Sequence, residues 1–156
     1  MQNWKSVSTM AESSVNRRGV IGIIWQDSRL LVIERSSRVE RAPGKFCFPG
    51  GTIELGESPR EALLREMREE LSLVVQPIKS VWQNVTASGV QLDWWLTMID
   101  QAAQIVPNPD EVASFDWLTL DEMLALELLL PTNRDFVHAV RRGEIDAPQS
   151  WLVDAN

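Results

Sequence analysis

Glu66, Glu69 and Glu70 stand at i, i+3 and i+4 within one acidic stretch, Pro59-Arg-Glu-Ala-Leu-Leu-Arg-Glu-Met-Arg-Glu-Glu-Leu71. A helix turns about 100° per residue, so this spacing sets the three carboxylates on one face. Each like-charge i, i+4 pair costs roughly 0.2–0.5 kcal/mol. A hard divalent cation would remove that repulsion. Carboxylate oxygens are the ligands Mg²⁺ prefers, and waters and substrate phosphates complete its shell. Spacing alone leaves a second reading open, a solvated acidic face salt-bridged to Arg65 and Arg68.

The helix that must carry these side chains runs from about Pro59 to Leu71. Ser58 is a suitable N-cap, Pro59 fills the first helical position, and Glu61 completes a Ser-x-x-Glu capping box. Leu63, Leu64, Met67 and Leu71 line the adjoining face and can pack on a sheet, while Ala62 leaves room above Glu66. Upstream, Gly19–Trp25 and Leu30–Ile33 are apolar runs of strand length around the turn Gln26-Asp27-Ser28, which predicts a hairpin. Phe46–Phe48 is a short extended piece stopped by Pro49-Gly50-Gly51. Val74–Val85 and Val90–Ile99 are strand-like around the turn Ser88-Gly89, and Val112–Leu118 is a further strand. Thr119-Leu-Asp-Glu122 opens a short helix. Pro131 ends a Leu-rich stretch, and Arg134–Arg142 reads as the last helix, with Gly143 at its cap.

Strands mixed with a few helices, without regular alternation, predict an α/β or α+β fold, a mixed-sheet sandwich flanked by helices. Residues 1–16 are polar and aperiodic and read as a flexible N-terminal extension. The domain proper is expected over 17–145, followed by a tail at 146–156. Fifteen Lys and Arg against 22 Asp and Glu give a net charge of −7, which argues against a duplex-binding module. A bound divalent cation can still reverse the local field for a phosphate substrate. No apolar run approaches the roughly 20 residues of a membrane span. The N-terminus has no apolar h-region, and the lone Cys47 suits a reducing compartment, so a cytoplasmic location is expected.

The residues flanking the acidic helix narrow its reading. The stretch Gly51–Leu73 resembles the Nudix box, G-x5-E-x7-R-E-U-x-E-E-x-G-U with U bulky and apolar. Gly51, Glu57, Arg65, Glu66, Met67, Glu69, Glu70 and Leu73 fall on the pattern. Ser72 departs from it, standing where the final glycine eases a left-handed turn. The lead-in Phe48-Pro49-Gly50-Gly51 and the order of elements over about 18–142 also look like a Nudix domain. The resemblance implies Mg²⁺- or Mn²⁺-dependent hydrolysis of a nucleoside diphosphate linked to another moiety, by water attack on phosphorus. It implies that Glu70 is the principal metal ligand, that Glu66 and Glu69 are further ligands, and that one of them orients or deprotonates the water. The carbonyl of Gly50 is a further ligand candidate, and Glu57 with Arg65 is expected to brace loop against helix. Glu111, in Pro-Asp-Glu-Val, resembles a position that supplies an extra metal ligand or base in several members. The alternative within this resemblance is a nucleotide-sensing or regulatory module without turnover. The family's habits also suggest a homodimer.

Other candidates come from their surroundings. Arg35, Arg38, Arg41 and Lys45 concentrate positive charge before the acidic helix, with Arg35 and Arg41 the first candidates to hold outer phosphates. Period two groups Trp94 with Leu92, Leu96 and Met98 as core, and puts Trp95 on the other face, where it is a candidate for stacking on a base or sugar. His138 is expected to be a surface or packing residue. No accessory motif selects among nucleoside triphosphates, nucleotide sugars, dinucleoside polyphosphates and coenzyme A derivatives.

Overall fold

A computed structural model describes residues 17–153. The expected N-terminal extension, residues 1–16, lies outside the described residues. β1 (Arg18–Gln26) and β2 (Arg29–Arg35) pair antiparallel at Trp25–Leu30 and Gln26–Arg29, and Asp27 takes a positive φ of 54° in the turn. Past that hairpin end the two strands diverge to different neighbours. β1 runs parallel to β6 (Gln91–Met98) on one edge and antiparallel to β4 (Gly50–Thr52) on the other. β5 (Gln76–Val85) closes that side by pairing with β6. β2 takes β3 (Phe46–Cys47) and β7 (Val112–Leu118) as antiparallel partners. The result is the expected mixed sheet, in the order β3-β2-β1-β6-β5 with β4 and β7 as branches.

Helices cover both faces. α1 (Pro59–Leu71) lays Leu63, Met67 and Leu71, all inaccessible to solvent, against Val20, Ile24, Leu31 and Ile33. On the opposite face α2 (Leu120–Leu124) and α3 (Pro131–Arg141) cover Ile23, Leu30, Phe48, Trp94 and Leu96. There Phe136 stacks on Trp94 at a centroid distance of 4.9 Å. Offset or edge-to-face aromatic pairs add about 0.5–1.5 kcal/mol beyond their area burial. No helix among the described residues is long and apolar enough to cross a membrane.

Four local details differ from the sequence-based expectations. α3 starts at Pro131, three residues before Arg134, because proline at a first helical position lacks only a donor that would have no intrahelical partner. At the start of α1, Ser58 Oγ accepts from Glu61 N–H, but the Glu61 carboxylate accepts from the Ser58 hydroxyl and not from its backbone, so the box is half formed. Thr119 and Glu122 make the full box at α2. Met98 is exposed and Thr97 is buried, its hydroxyl satisfied by donating to the Trp95 carbonyl at 3.0 Å. The expected tail carries a 3₁₀ turn, Gln149–Leu152, whose Trp151 is only 3 % exposed and packs edge-on against Trp25.

Candidate active site

The chain enters the site through two glycines that no larger residue could replace without movement. A Cβ on Gly50 would lie 2.2 Å from the Val20 carbonyl oxygen, and one on Gly51 would lie 2.2 Å from the Glu66 carboxyl carbon. β4 therefore approaches β1 closely while the Glu66 carboxylate folds over it. Gly50 N–H points to Glu70 Oε2 at 3.4 Å, a long contact that turns the second carboxylate toward the same loop. Glu66 and Glu70 are 8 % and 7 % exposed, whereas Glu69, one position round the face, is exposed.

Arg65 ties this loop to the helix. Its Nε and Nη2 donate to the two Glu57 oxygens, each at 2.8 Å, and Nη2 also reaches the Thr52 carbonyl at 2.8 Å. Its Nη1 donates to Glu66 at 2.9 Å and to Glu69 at 3.2 Å. Bidentate guanidinium–carboxylate pairs are among the stronger side-chain contacts. The Arg65 hydrogen bonds hold Glu57 down at a pKa of about 2. Glu66 goes the other way, to about 7, because burial outweighs the help of Arg65. Burial, then the charges of Glu66 and Glu111, raises Glu70 well above its ordinary range. Glu111 is raised too, chiefly by burial.

Glu66, Glu70 and Glu111 converge on a cavity of about 210 Å³, floored by Gly50, Gly51 and Thr52 and walled by Arg35. Glu111 Oε2 is buried there with no hydrogen-bond partner in the protein. Three carboxylates pushed toward their neutral forms, with an orphaned oxygen, make a donor set suited to a hard divalent cation. Among the described residues no three His, Cys, Asp or Glu side chains stand grouped so that they could hold a metal ion by themselves. An open site is what Mg²⁺ ordinarily uses, taking one or two carboxylates and leaving positions for water and phosphate.

A second cavity of about 310 Å³ shares Arg35 and the Gly50–Thr52 floor with the first. Arg41 lines it, and the Arg41 carbonyl accepts from Arg35 Nε at 2.9 Å, so both expected phosphate-side arginines meet at one rim. Phe48 and Leu92 give it an apolar wall, and Thr86, Ser88 and Asn133 a polar one. Asn133 was not among the expected site residues. It is 2 % exposed and its Oδ1 accepts from Phe48 N–H at 2.9 Å. A signal for it exists, since Asn133, Phe136, Val137 and Val140 fall at i, i+3, i+4 and i+7, which puts an amide on the apolar face of α3.

Trp95 is placed elsewhere. It packs beside the core under α1 and lines neither cavity. The reason is its face: Leu92, on the same strand, lines the second cavity with Phe48, whereas Trp95 points to the side covered by α1. Arg38 is held outward by Asp110 at 2.6 Å, and His138 is exposed on α3.

The NUDIX domain family model matches residues 15–140. This chain belongs to the Nudix hydrolase family. It is 35 % identical over 130 residues to the CTP pyrophosphohydrolase of Escherichia coli (strain K12), a match covering 73 % of this chain and 96 % of that protein. It is 38 % identical over 56 residues to the 8-oxo-dGTP diphosphatase of the same strain, but there the match spans only 43 % of the relative and 36 % of this chain. The fold resembles the crystal structure of the MutT protein from Methanosarcina mazei Go1, with a TM-score of 0.71 at 24 % identity over 82 % of this chain and 94 % of that one. The Nudix box thus occupies the β4–α1 segment, and Ser72 takes the left-handed conformation (φ 56°, ψ 33°) at its glycine position.

Proposed function

We propose that this Nudix hydrolase is a Mg²⁺- or Mn²⁺-dependent pyrophosphohydrolase that cleaves a phosphoanhydride bond of a nucleoside triphosphate or related nucleotide by attack of water on phosphorus. The observation that carries the reading is the convergence of buried Glu66 and Glu70 with half-buried Glu111, beside Arg35, on one cavity. Phosphoryl transfer asks for positioning and charge neutralisation more than for covalent chemistry from the protein. Glu70, Glu66 and Glu111 would hold the metal, with Glu69 and the Gly50 carbonyl completing the candidate set. When bound, the cation supplies charge neutralisation at the phosphates and a water of lowered pKa.

The remaining roles belong to the chain itself. Arg35 and Arg41, at the shared rim, face the phosphates between the two cavities. Arg65 holds Glu66 in place and, through Glu57 and Thr52, keeps the loop on the helix. A carboxylate of this cluster, not bound to metal, accepts the proton of the attacking water. The larger cavity, with its apolar and hydroxyl-bearing walls, receives the nucleoside part. A relative matched over 96 % of its length is named for CTP, which favours triphosphates over larger conjugates. The unpaired thiol of Cys47 suits a reducing cytoplasm.

The test is to incubate the protein with a panel of nucleotides, with Mg²⁺ and with chelator, and to separate the products. Nucleoside monophosphate and pyrophosphate appearing only with metal are expected. Equal turnover in chelator would remove the metal from the account.

A further inference from the structure

Glu111 does not reach the carboxylate cavity by its own strand. The segment that leads to it is fastened to the exit of α1. Val106 N–H donates to the Leu71 carbonyl at 3.0 Å, and Asn108 N–H donates to the Glu70 carbonyl at 2.8 Å. Both acceptors are last-turn carbonyls that the helix cannot satisfy internally. Asn108 then organises the next turn: its carbonyl accepts from Glu111 N–H at 2.9 Å and Val112 N–H at 2.8 Å, and its Oδ1 accepts from Asp110 N–H at 3.1 Å. Beyond the turn, the Glu111 carbonyl accepts from Ser36 N–H at 3.0 Å, next to Arg35.

Ser72 adds one bond to this seam. Its hydroxyl donates to the Val106 carbonyl at 3.1 Å, so Val106 is held by both its donor and its acceptor. A glycine at 72 would adopt φ 56° more readily but would leave that carbonyl without this donor. Serine accepts a disfavoured backbone conformation and aims a hydroxyl at the segment that ends in Glu111.

We propose that Ser72 is a positioning residue for Glu111: its hydroxyl fixes the 106–111 segment on the end of α1, and by doing so sets the affinity of the carboxylate cavity for a divalent cation. The inference rests on the metal-dependent reading of the site. It is tested with Mn²⁺ alone, by calorimetric titration of the full chain as wild type, Ser72→Gly, Glu111→Gln and the double variant, with melting temperatures taken in chelator.

Ser72→Gly should melt no lower than wild type, because glycine suits the left-handed turn, yet bind Mn²⁺ about tenfold more weakly, the low end of what outer-shell partners contribute. In the Glu111→Gln background the same change should have no further effect, since contacts that share one path are not additive. Unchanged affinity in Ser72→Gly overturns the inference, as does an equal loss in both backgrounds, or a loss of affinity that only tracks a lower melting temperature. Wild type that binds no Mn²⁺ overturns the functional reading and this inference together. Wild type that binds, with Ser72→Gly unaffected, overturns the inference alone.

Discussion

The Glu66 carboxylate lies directly over Gly51, so that a Cβ at residue 51 would stand 2.2 Å from its carboxyl carbon, while a Cβ at Gly50 would strike the Val20 carbonyl at the same distance. One obstacle is the end of a flexible side chain and the other is backbone. The same substitution at neighbouring residues therefore has different consequences. Gly51→Ala should displace Glu66, cutting kcat on the order of tenfold or more while costing only about 1 kcal/mol of stability. Gly50→Ala should lower the melting temperature markedly, since strand β4 must move off β1. Steady-state kinetics and thermal melts on the two variants check this.

Without metal, the carboxylate cavity should make stability fall as pH rises. Glu66 titrates near 7, and burial raises Glu70 and Glu111 as well, whereas the unfolded chain releases these protons near 4.5. Between those values the folded state binds more protons, so stability drops as pH increases through the window. Melting temperatures in chelator should decline from pH 5 to pH 8. With Mg²⁺ the decline should be reduced or reversed, because metal binds the ionised form.

Arg65 should not tolerate lysine. A lysine ammonium cannot reproduce the planar fork that holds both Glu57 oxygens and the Thr52 carbonyl. Arg65→Lys should lower the melting temperature and reduce kcat, because Glu66 loses its brace. Glu57 supplies the acid limit: its pKa of about 2 means its contribution is present above pH 4.5 and disappears as pH falls toward 2. Acid titration of Glu57→Gln beside wild type, followed by circular dichroism, should show a smaller loss in the variant.

Cys47 should be silent toward thiol reagents in the folded protein. Burial pushes its thiol up to about 11, so at pH 8 almost no thiolate is present. Disulfide-exchange reagents should label it only on unfolding, at a rate set by opening.

Trp151→Ala should cost about 3–5 kcal/mol, as for other buried aromatics, and truncation after residue 145 should do at least as much harm. Denaturant titration followed by tryptophan fluorescence measures both.

The α1 boundaries were legible in the sequence because cap, first-turn proline, apolar period and turn all agreed there. The β1–β2 hairpin and β7 were legible for the same reason. The start of α3 was not, since Pro131 serves equally to stop the Leu-rich stretch before it and to start the helix after it. Trp151 looked like tail because nothing local tells a buried 3₁₀ turn from a loose end; its partners, Trp25 and Phe136, are distant in sequence. Period two separated Trp94 from Trp95 correctly by face, yet could not say which face of β6 the cavity would open on; Leu92 lines it and Trp95 does not. Glu66, Glu70, Glu111, Arg35 and Arg41 come together at the two cavities. Asn133 and the Ser72–Val106 seam needed the fold, because their significance lies in contacts across long stretches of chain.

Glu66, Glu70 and Glu111 are proposed to act on a nucleotide through a divalent cation. The most direct measurement compares wild type and Glu70→Gln for nucleoside monophosphate release with Mg²⁺, with melts confirming that both are folded. A loss on the order of 100-fold or more, comparable to removing one transition-state-stabilising group, is predicted. Turnover retained in a folded Glu70→Gln would contradict the account.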